Sequence, residues 1–306
     1  MIIPARLTKN ISLLGNEYFN LYLVQGETFA IVEGGVSGIT SPFLDQLDQL
    51  GVPPEAISYL IILHSHFDHM MVFPTIKGRY PWVKVVSSGL NRTIFSSDRI
   101  VSKLFDSDRK MTRSLMEKGL ISEAPDLAPQ VPFPLDIPVE EGSMLDLGRG
   151  VRLKFIETPG HSPDCLSAYQ EEEGVLFCSD AAGFHVPPDF FRPNCWHSLE
   201  KADISFKKMK EVAPQILCRG HYGALQGREE IRQHLQMSHM SIQEFGAFVL
   251  KKIQEGVPVE GIAEEVTKQF SRGFLELFPP EDNYRLWKLL IRRTLEHFGI
   301  EPVERQ

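Results

Sequence analysis

Short hydrophobic runs alternate with turn residues along the first part of the chain, a pattern typical of β-sheets. Residues 18–24 and 28–32 carry β-branched and aromatic side chains on either side of Gly26. They predict an antiparallel meander. The run at 59–63 is continuously apolar, as expected of a strand buried on both faces.

One amphipathic helix is predicted between these strands, because leucines recur there at helical spacing. Ser41 is its predicted N-cap, Pro42 occupies the first helical position and Gly51 ends it.

The middle of the chain mixes helical and extended patterns. A strand is predicted at 83–87, a helical insert at about 90–120 and an extended, proline-rich connection at 124–138. Further strands are predicted at 151–157, 166–170, 175–179 and 215–218, with a helix at 199–212.

Beyond Gly227 only helical patterns remain, at 228–255, 258–272 and 281–299. We therefore predict an α/β domain over 1–227 and a helical segment over 228–306. The apolar stripes of these helices either pack on the α/β domain or form a homodimer contact.

The composition is that of an ordinary globular protein, with 42% hydrophobic and 24% charged residues. A net charge of −8 argues against nucleic acid as a partner. No apolar stretch reaches the ~20 residues of a membrane helix, and the first residues do not resemble a secretory signal. The four cysteines form no C-x-x-C pair, which suits reduced thiols. We therefore expect a cytoplasmic protein without a membrane partner.

The strongest chemical signal is the hexapeptide 64–69, which holds three imidazoles and a carboxylate directly after a predicted strand. In an extended segment, residues two apart point the same way, so His64 and His66 can bind one cation. Asp68 and His69, beyond a turn, can face a second cation. The spacing favours two metal ions over one.

Three later segments repeat this arrangement, since each has a metal-capable residue at a strand exit. They deliver His161, Asp180 and His221. Five of the ten histidines therefore lie at strand exits, which scattered surface or core histidines would not produce.

With these motifs in this order, residues 10–225 resemble the metallo-β-lactamase superfamily. The resemblance implies an α/β fold, a four-layer αββα sandwich, here with a C-terminal helical extension. It also implies a dinuclear site at one sheet edge. The family pattern places His64, His66 and His161 on the first metal, and Asp68, His69 and His221 on the second, with Asp180 bridging.

Differences within the superfamily narrow the expected function. Exported lactamases often carry cysteine where Asp180 stands, and flavodiiron members usually carry glutamate in place of His66. The residues at these two positions therefore argue against both subfamilies. Nuclease members have added nucleic-acid-binding regions. The helical tail is similar to those of glyoxalase II and PqsE-like members, where it contributes to the wall of the active-site cleft.

These features predict a dinuclear-metal-dependent hydrolase that attacks a small ester or thioester with a metal-bound hydroxide. Asp68 would hold the nucleophile and transfer its proton. Tyr222, next to a ligand, either orients the substrate or leaving group or fills space. Zinc is the default metal for five histidines and two aspartates, and iron or manganese accept the same ligands.

The same sequence features are compatible with two other functions. A PqsE-like regulatory or partner-binding module would use the helical tail and hydrolyse substrates only incidentally. A phosphodiesterase would use the same metals on a phosphorus centre.

Overall fold

The computed structural model of the chain describes residues 3–123 and 134–301. The chain forms two compact units. Unit 1 takes Met1–Glu157, Asp164–Ser179 and Pro214–Ile231, and unit 2 takes Thr158–Pro163, Asp180–Ala213 and Arg232–Gln306.

The first sheet of unit 1 has seven strands, which follow one another across the sheet in chain order. They are β1 (Ala5–Arg6), β2 (Ile11–Gly15), β3 (Asn20–Gln25), β4 (Phe29–Val32), β5 (Ile57–Ile62), β6 (Lys84–Ser88) and β7 (Ile137–Val139). Strands β1 to β4 pair antiparallel, and β4 to β7 pair in parallel. Because β4 and β5 are parallel, the residues that follow them emerge at the same edge of the sheet.

The remaining strands are β8 (Met144–Asp146), β9 (Arg152–Glu157), β10 (Leu166–Gln170), β11 (Val175–Phe177), β12 (Phe184–Val186), β13 (Phe190–Arg192), β14 (Ile216–Cys218) and β15 (Ala224–Gln226). Six of them form the second sheet of unit 1, in the order β15-β14-β11-β10-β9-β8. Only the β11–β14 pair of this sheet is parallel within the described residues. Strands β12 and β13 form a separate hairpin in unit 2.

Apolar side chains of both sheets share one core in unit 1. In β9 the buried Leu153 and Phe155 alternate with the exposed Arg152 and Lys154, so one face of the strand points inward. Tyr22 of β3 meets Phe177 of β11 edge to face, with ring centroids 5.5 Å apart. Burial of one such ring contributes about 2–3 kcal/mol. This core holds the strand ends, and therefore the motif residues, at defined positions.

The helices are α1 (Thr40–Gln49), α2 (Phe73–Arg79), α3 (Asn91–Phe95), α4 (Asp98–Glu117), α5 (Leu199–Val212), α6 (Arg228–Gln254), α7 (Val259–Phe270) and α8 (Pro280–His297). Helix α5 covers the predicted residues, and the three C-terminal helices lie within about two residues of their predicted ends. The predicted helical insert consists of α3 and α4. In unit 2 the buried Trp287 of α8 lies against Phe245 and Phe270, at centroid distances of 5.8 and 5.9 Å.

The predicted N-cap of α1 is wrong. The helix begins at Thr40, and no side chain caps it. Its start instead continues a 3₁₀ turn, Ser37–Ile39, and the Thr40 hydroxyl donates to the Ser37 carbonyl at 2.7 Å. Local residue preference therefore placed the start two residues too late.

Several short elements escaped prediction. Strand β2 and the β12–β13 hairpin have too few residues for a periodic signal, and α2 contains both proline and glycine. Residues 124–133 of the predicted extended connection lie outside the described residues.

None of the helices in the described parts of the chain has the length and apolar character needed to cross a membrane.

Asp108 of α4 is a buried carboxyl that holds the turn before α1. It accepts a hydrogen bond from the Ser37 amide at 2.8 Å and another from the Ser37 hydroxyl. Burial raises the pKa of Asp108 from 3.8 to about 6, more than these hydrogen bonds lower it. The native state therefore binds the Asp108 proton more tightly than the unfolded state does.

This raised pKa predicts a pH-dependent stability. The stabilisation from the protonated carboxyl is present at low pH and is lost as pH rises from about 4 through about 6. The Asn side chain of Asp108→Asn stays neutral at every pH. The free energy of unfolding of this variant, relative to that of the wild type, should therefore rise by about 2–3 kcal/mol across that pH range. Urea unfolding at several pH values measures this difference. The exposed Asp106→Asn on the same helix is the control, and parallel pH curves for wild type and Asp108→Asn would contradict the prediction.

Candidate metal centre

The motif 64–69 follows β5 and ends in a short 3₁₀ helix, Phe67–His69. The Ser65 amide donates to the buried Asp164 carboxylate at 2.8 Å, which holds the segment before that helix. The imidazole rings of His64 and His66 lie 4.7 Å apart, and those of His64 and His69 lie 4.2 Å apart. The three motif histidines therefore lie together at the exit of β5.

Glu33, which follows β4, forms a hydrogen bond with Nδ1 of His69. Both groups are about 1% exposed. The two segments approach closely because the Gly34 amide donates to the His69 carbonyl at 2.7 Å. A Cβ on Gly34 would lie 2.9 Å from Cα of Met70, so a side chain there would push the segments apart. Glu33 thereby directs the other ring nitrogen of His69, Nε2, away from itself.

His221 reaches the same region of unit 1 from the loop after β14. Its Nδ1 lies in hydrogen-bond contact with the Tyr18 carbonyl. The buried Arg219 shapes this loop, since its guanidinium donates to the Tyr222 carbonyl at 2.6 Å and to the Gly223 carbonyl at 3.2 Å. These bonds position His221 independently of any ligand.

Asp68, His69 and His221 form a compact group of donors in unit 1. Asp68 Oδ2 lies 3.7 Å from His69 Nε2 and 3.8 Å from His221 Nε2. The three ligand atoms lie within 4.8 Å of one another. Donors bound tetrahedrally at about 2.1 Å lie roughly 3.4 Å apart, so a small contraction would suffice to coordinate one ion.

Two imidazoles and a carboxylate are a donor set that suits Zn²⁺, Fe²⁺ or Mn²⁺. Each imidazole has its Nδ1 against an oxygen acceptor, as expected of histidines that bind a metal through Nε2. The chemistry of the group therefore fits a transition-metal ion.

His64 is buried beside this group. Burial lowers its pKa well below the usual value, and His69, His66 and His221 lower it further. Its Nδ1 lies 3.2 Å from the Ser179 hydroxyl, which donates to Glu33 at 2.8 Å. A neutral imidazole is the form that binds a metal, so this environment favours coordination over protonation.

His161 and Asp180 lie together in unit 2, where His161 Nε2 is 3.5 Å from Asp180 Oδ2. His161 Nδ1 is 3.2 Å from the Asn194 carbonyl oxygen. This histidine too has Nδ1 against an oxygen, with Nε2 directed at a carboxylate.

Tyr222 is half-buried in unit 1 and has a left-handed backbone, with φ of 57°. Its ring meets that of Tyr18 edge to face at 5.9 Å. The left-handed conformation matches the reversal of the chain after His221.

Sequence reasoning missed Glu33, Ser179 and Asn194, whose side chains hydrogen-bond to predicted ligands. Glu33 and Ser179 contact histidines of unit 1, and Asn194 contacts His161 and Asp180. Glu33 had a detectable signal, a carboxylate directly after an apolar strand. Ser179 and Asn194 had none, because serine and asparagine are common in loops.

These features place the chain in a known family. The model of the metallo-β-lactamase superfamily matches residues 17–221, and the chain belongs to this superfamily. The predicted fold class, a metallo-β-lactamase sandwich with C-terminal helices, is confirmed.

Similar proteins have diverse descriptions. A metallo-beta-lactamase fold-containing protein of Sulfurisphaera tokodaii is 26% identical over 83% of this chain and 87% of its own length. A metallo-beta-lactamase family protein of Thermus thermophilus has a similar structure, with a TM-score of 0.65 at 21% identity over 96% of this chain and 95% of its own. A diflavin flavoprotein of Synechocystis is 27% identical over 56% of this chain, and the match spans only 24% of that protein.

Glu33→Ala should weaken metal binding in unit 1, because His69 would lose the acceptor that orients its ring. Partners of this kind typically contribute ten- to a hundredfold to metal affinity. Zinc titration against a chromophoric chelator measures the change. Glu27→Ala, at an exposed position in the β3–β4 turn, is the control, and equal affinities of the two variants would contradict the assigned role.

Proposed function

We propose that this protein is a metal-dependent hydrolase of a small ester or thioester. The observation that carries the proposal is the group of Asp68, His69 and His221, whose ligand atoms lie within 4.8 Å while both imidazoles are held from behind by oxygen acceptors. Such preorganisation is typical of a metal site rather than of histidines that merely fill a core.

The proposed ligands follow the family pattern and would bind two metal ions. His64, His66 and His161 would hold one ion, Asp68, His69 and His221 would hold the other, and Asp180 would be a ligand shared by both. Zinc is our first choice of metal, with iron and manganese as alternatives that the same donors accept. Membership of the superfamily supports this set.

Bound divalent ions supply Lewis acidity, which lowers the pKa of water and polarises a carbonyl. Asp68 belongs to the donor group and is about 8% exposed, so we assign it the transfer of the proton to the leaving group. Tyr222 directly follows a ligand, and we assign its hydroxyl the orientation of the substrate.

We further propose that the helices α6 to α8 serve as they do in glyoxalase II and PqsE-like members, as part of the substrate cleft, with homodimerisation as a second use. The expected partner is a small molecule rather than nucleic acid or a membrane, given the net charge of −8. The expected location is the cytoplasm.

A second candidate is an oxidoreductase. A coenzyme F420H₂ oxidase of Methanothermobacter marburgensis, 30% identical over 57% of this chain and 37% of its own length, supports it. Purification after growth in iron, followed by oxygen-consumption assays with a chemical reductant, separates redox chemistry from hydrolysis. Iron content with oxygen reduction and no hydrolysis would favour this candidate.

His221→Ala should lose about one equivalent of metal and at least a hundredfold in turnover, because the donor group would keep only two ligands. Elemental analysis together with a panel of thioesters, aryl esters and bis-aryl phosphates measures both effects. The exposed His297→Ala is the matched control.

The same panel tests the alternatives. Turnover of only the phosphodiesters would replace esterase by phosphodiesterase activity. Turnover that survives in metal-depleted protein would refute the proposal, whereas partner capture without any turnover would favour a regulatory module.

A further inference from the structure

Asn194, the second residue after β13, contacts both of the predicted ligands in unit 2. It is 4% exposed. Its main-chain carbonyl faces His161 Nδ1 at 3.2 Å, and its side-chain Nδ2 lies 3.4 Å from Asp180 Oδ2 and 3.4 Å from the Asp180 carbonyl oxygen. One residue thereby connects two side chains that are 19 positions apart in the sequence.

The orientation of the Asn194 amide follows from a donor that cannot also accept. The indole nitrogen of Trp196 donates to Asn194 Oδ1 at 2.9 Å. An indole N–H is only a donor, so the oxygen of the amide must face Trp196 and its NH₂ group must face Asp180. The amide hydrogens therefore complement the negative charge of Asp180.

The main-chain contact determines which nitrogen of His161 is available. A carbonyl oxygen only accepts, so Nδ1 must carry the proton that it donates to Asn194. Nε2 then keeps its lone pair and points at Asp180, 3.5 Å away. This is the tautomer that a metal requires from a histidine bound through Nε2.

Both the main chain and the ring of Trp196 have contacts of their own. Its amide donates to the His161 carbonyl at 3.3 Å. The guanidinium of the buried Arg192 lies 4.9 Å from the indole ring centroid, a cation–π distance. The segment that presents Asn194 is thus anchored independently of Asp180.

We propose that Asn194 is a positioning residue for the metal centre, whose side-chain amide sets the direction of the Asp180 carboxylate, and that Trp196 sets the orientation of this amide. This inference rests on the proposed metal-dependent function. It adds a determinant of metal affinity that is not itself a ligand.

The experiment compares Asn194→Ala and Trp196→Phe with wild type and with Asn283→Ala. Asn283 is a matched control, because it is also buried in unit 2 and its amide also donates to a main-chain carbonyl, that of Leu275. Zinc affinity is measured by competition with a chromophoric chelator. The visible spectrum of the Co²⁺-substituted protein reports the geometry around the metal, and circular dichroism reports folding.

Asn194→Ala is expected to weaken one zinc site ten- to a hundredfold and to change the Co²⁺ spectrum. Trp196→Phe keeps a ring beneath Arg192 and should weaken the same site less, about threefold to tenfold, so it tests the inference even if Asn194→Ala does not fold. Asn283→Ala should keep both the wild-type affinity and the wild-type spectrum.

Absence of zinc binding in the wild type would refute the metal-dependent function itself. Two zinc sites in wild type, with unchanged affinity and spectrum in Asn194→Ala and Trp196→Phe, would refute only the role of Asn194. An equal loss in Asn194→Ala and Asn283→Ala would also overturn it, since it would indicate general destabilisation.

Discussion

The arrangement of the candidate metal ligands depends on one interaction, the hydrogen bond between an oxygen acceptor and the Nδ1 of His69, His161 and His221. An imidazole buried without such a partner would cost free energy and could rotate or protonate. Glu33 serves His69, the Tyr18 carbonyl serves His221 and the Asn194 carbonyl serves His161. In each case the acceptor leaves Nε2 pointing toward a carboxylate, Asp68 or Asp180.

The need to orient these imidazoles explains particular backbone contacts near the site. Gly34 allows the strand exit that carries Glu33 to approach His69. Arg219 donates to the Tyr222 and Gly223 carbonyls, which follow His221, and so determines where His221 emerges. Gly34 and Arg219 are not metal ligands themselves, but they determine whether His69 and His221 are placed to bind a metal. Asn194 and Trp196 have the same kind of role, because they position a candidate ligand without being ligands themselves.

The chemistry that such a group performs is not specified by its ligands alone. Proteins of similar sequence carry different descriptions, as the diflavin flavoprotein and the lactamase-fold relative illustrate. Discrimination between them depends on what surrounds the donors. In unit 2, for example, the indole of Trp196 donates to Asn194 and lies under the guanidinium of Arg192.

The sequence alone determined the features that depend on local pattern. The apolar strand before His64, the 3.6-residue periodicity of α5 to α8 and the dense cluster 64–69 are readable because each lies within one continuous segment. Only the tertiary structure decided features that join distant segments. Glu33 meets His69 across 36 positions and Tyr18 meets His221 across 203, and no periodicity records such a pairing. The start of α1 shows the same limit, because a preceding 3₁₀ turn, held by Asp108 of another helix, overrode the preference of Ser41 for a cap.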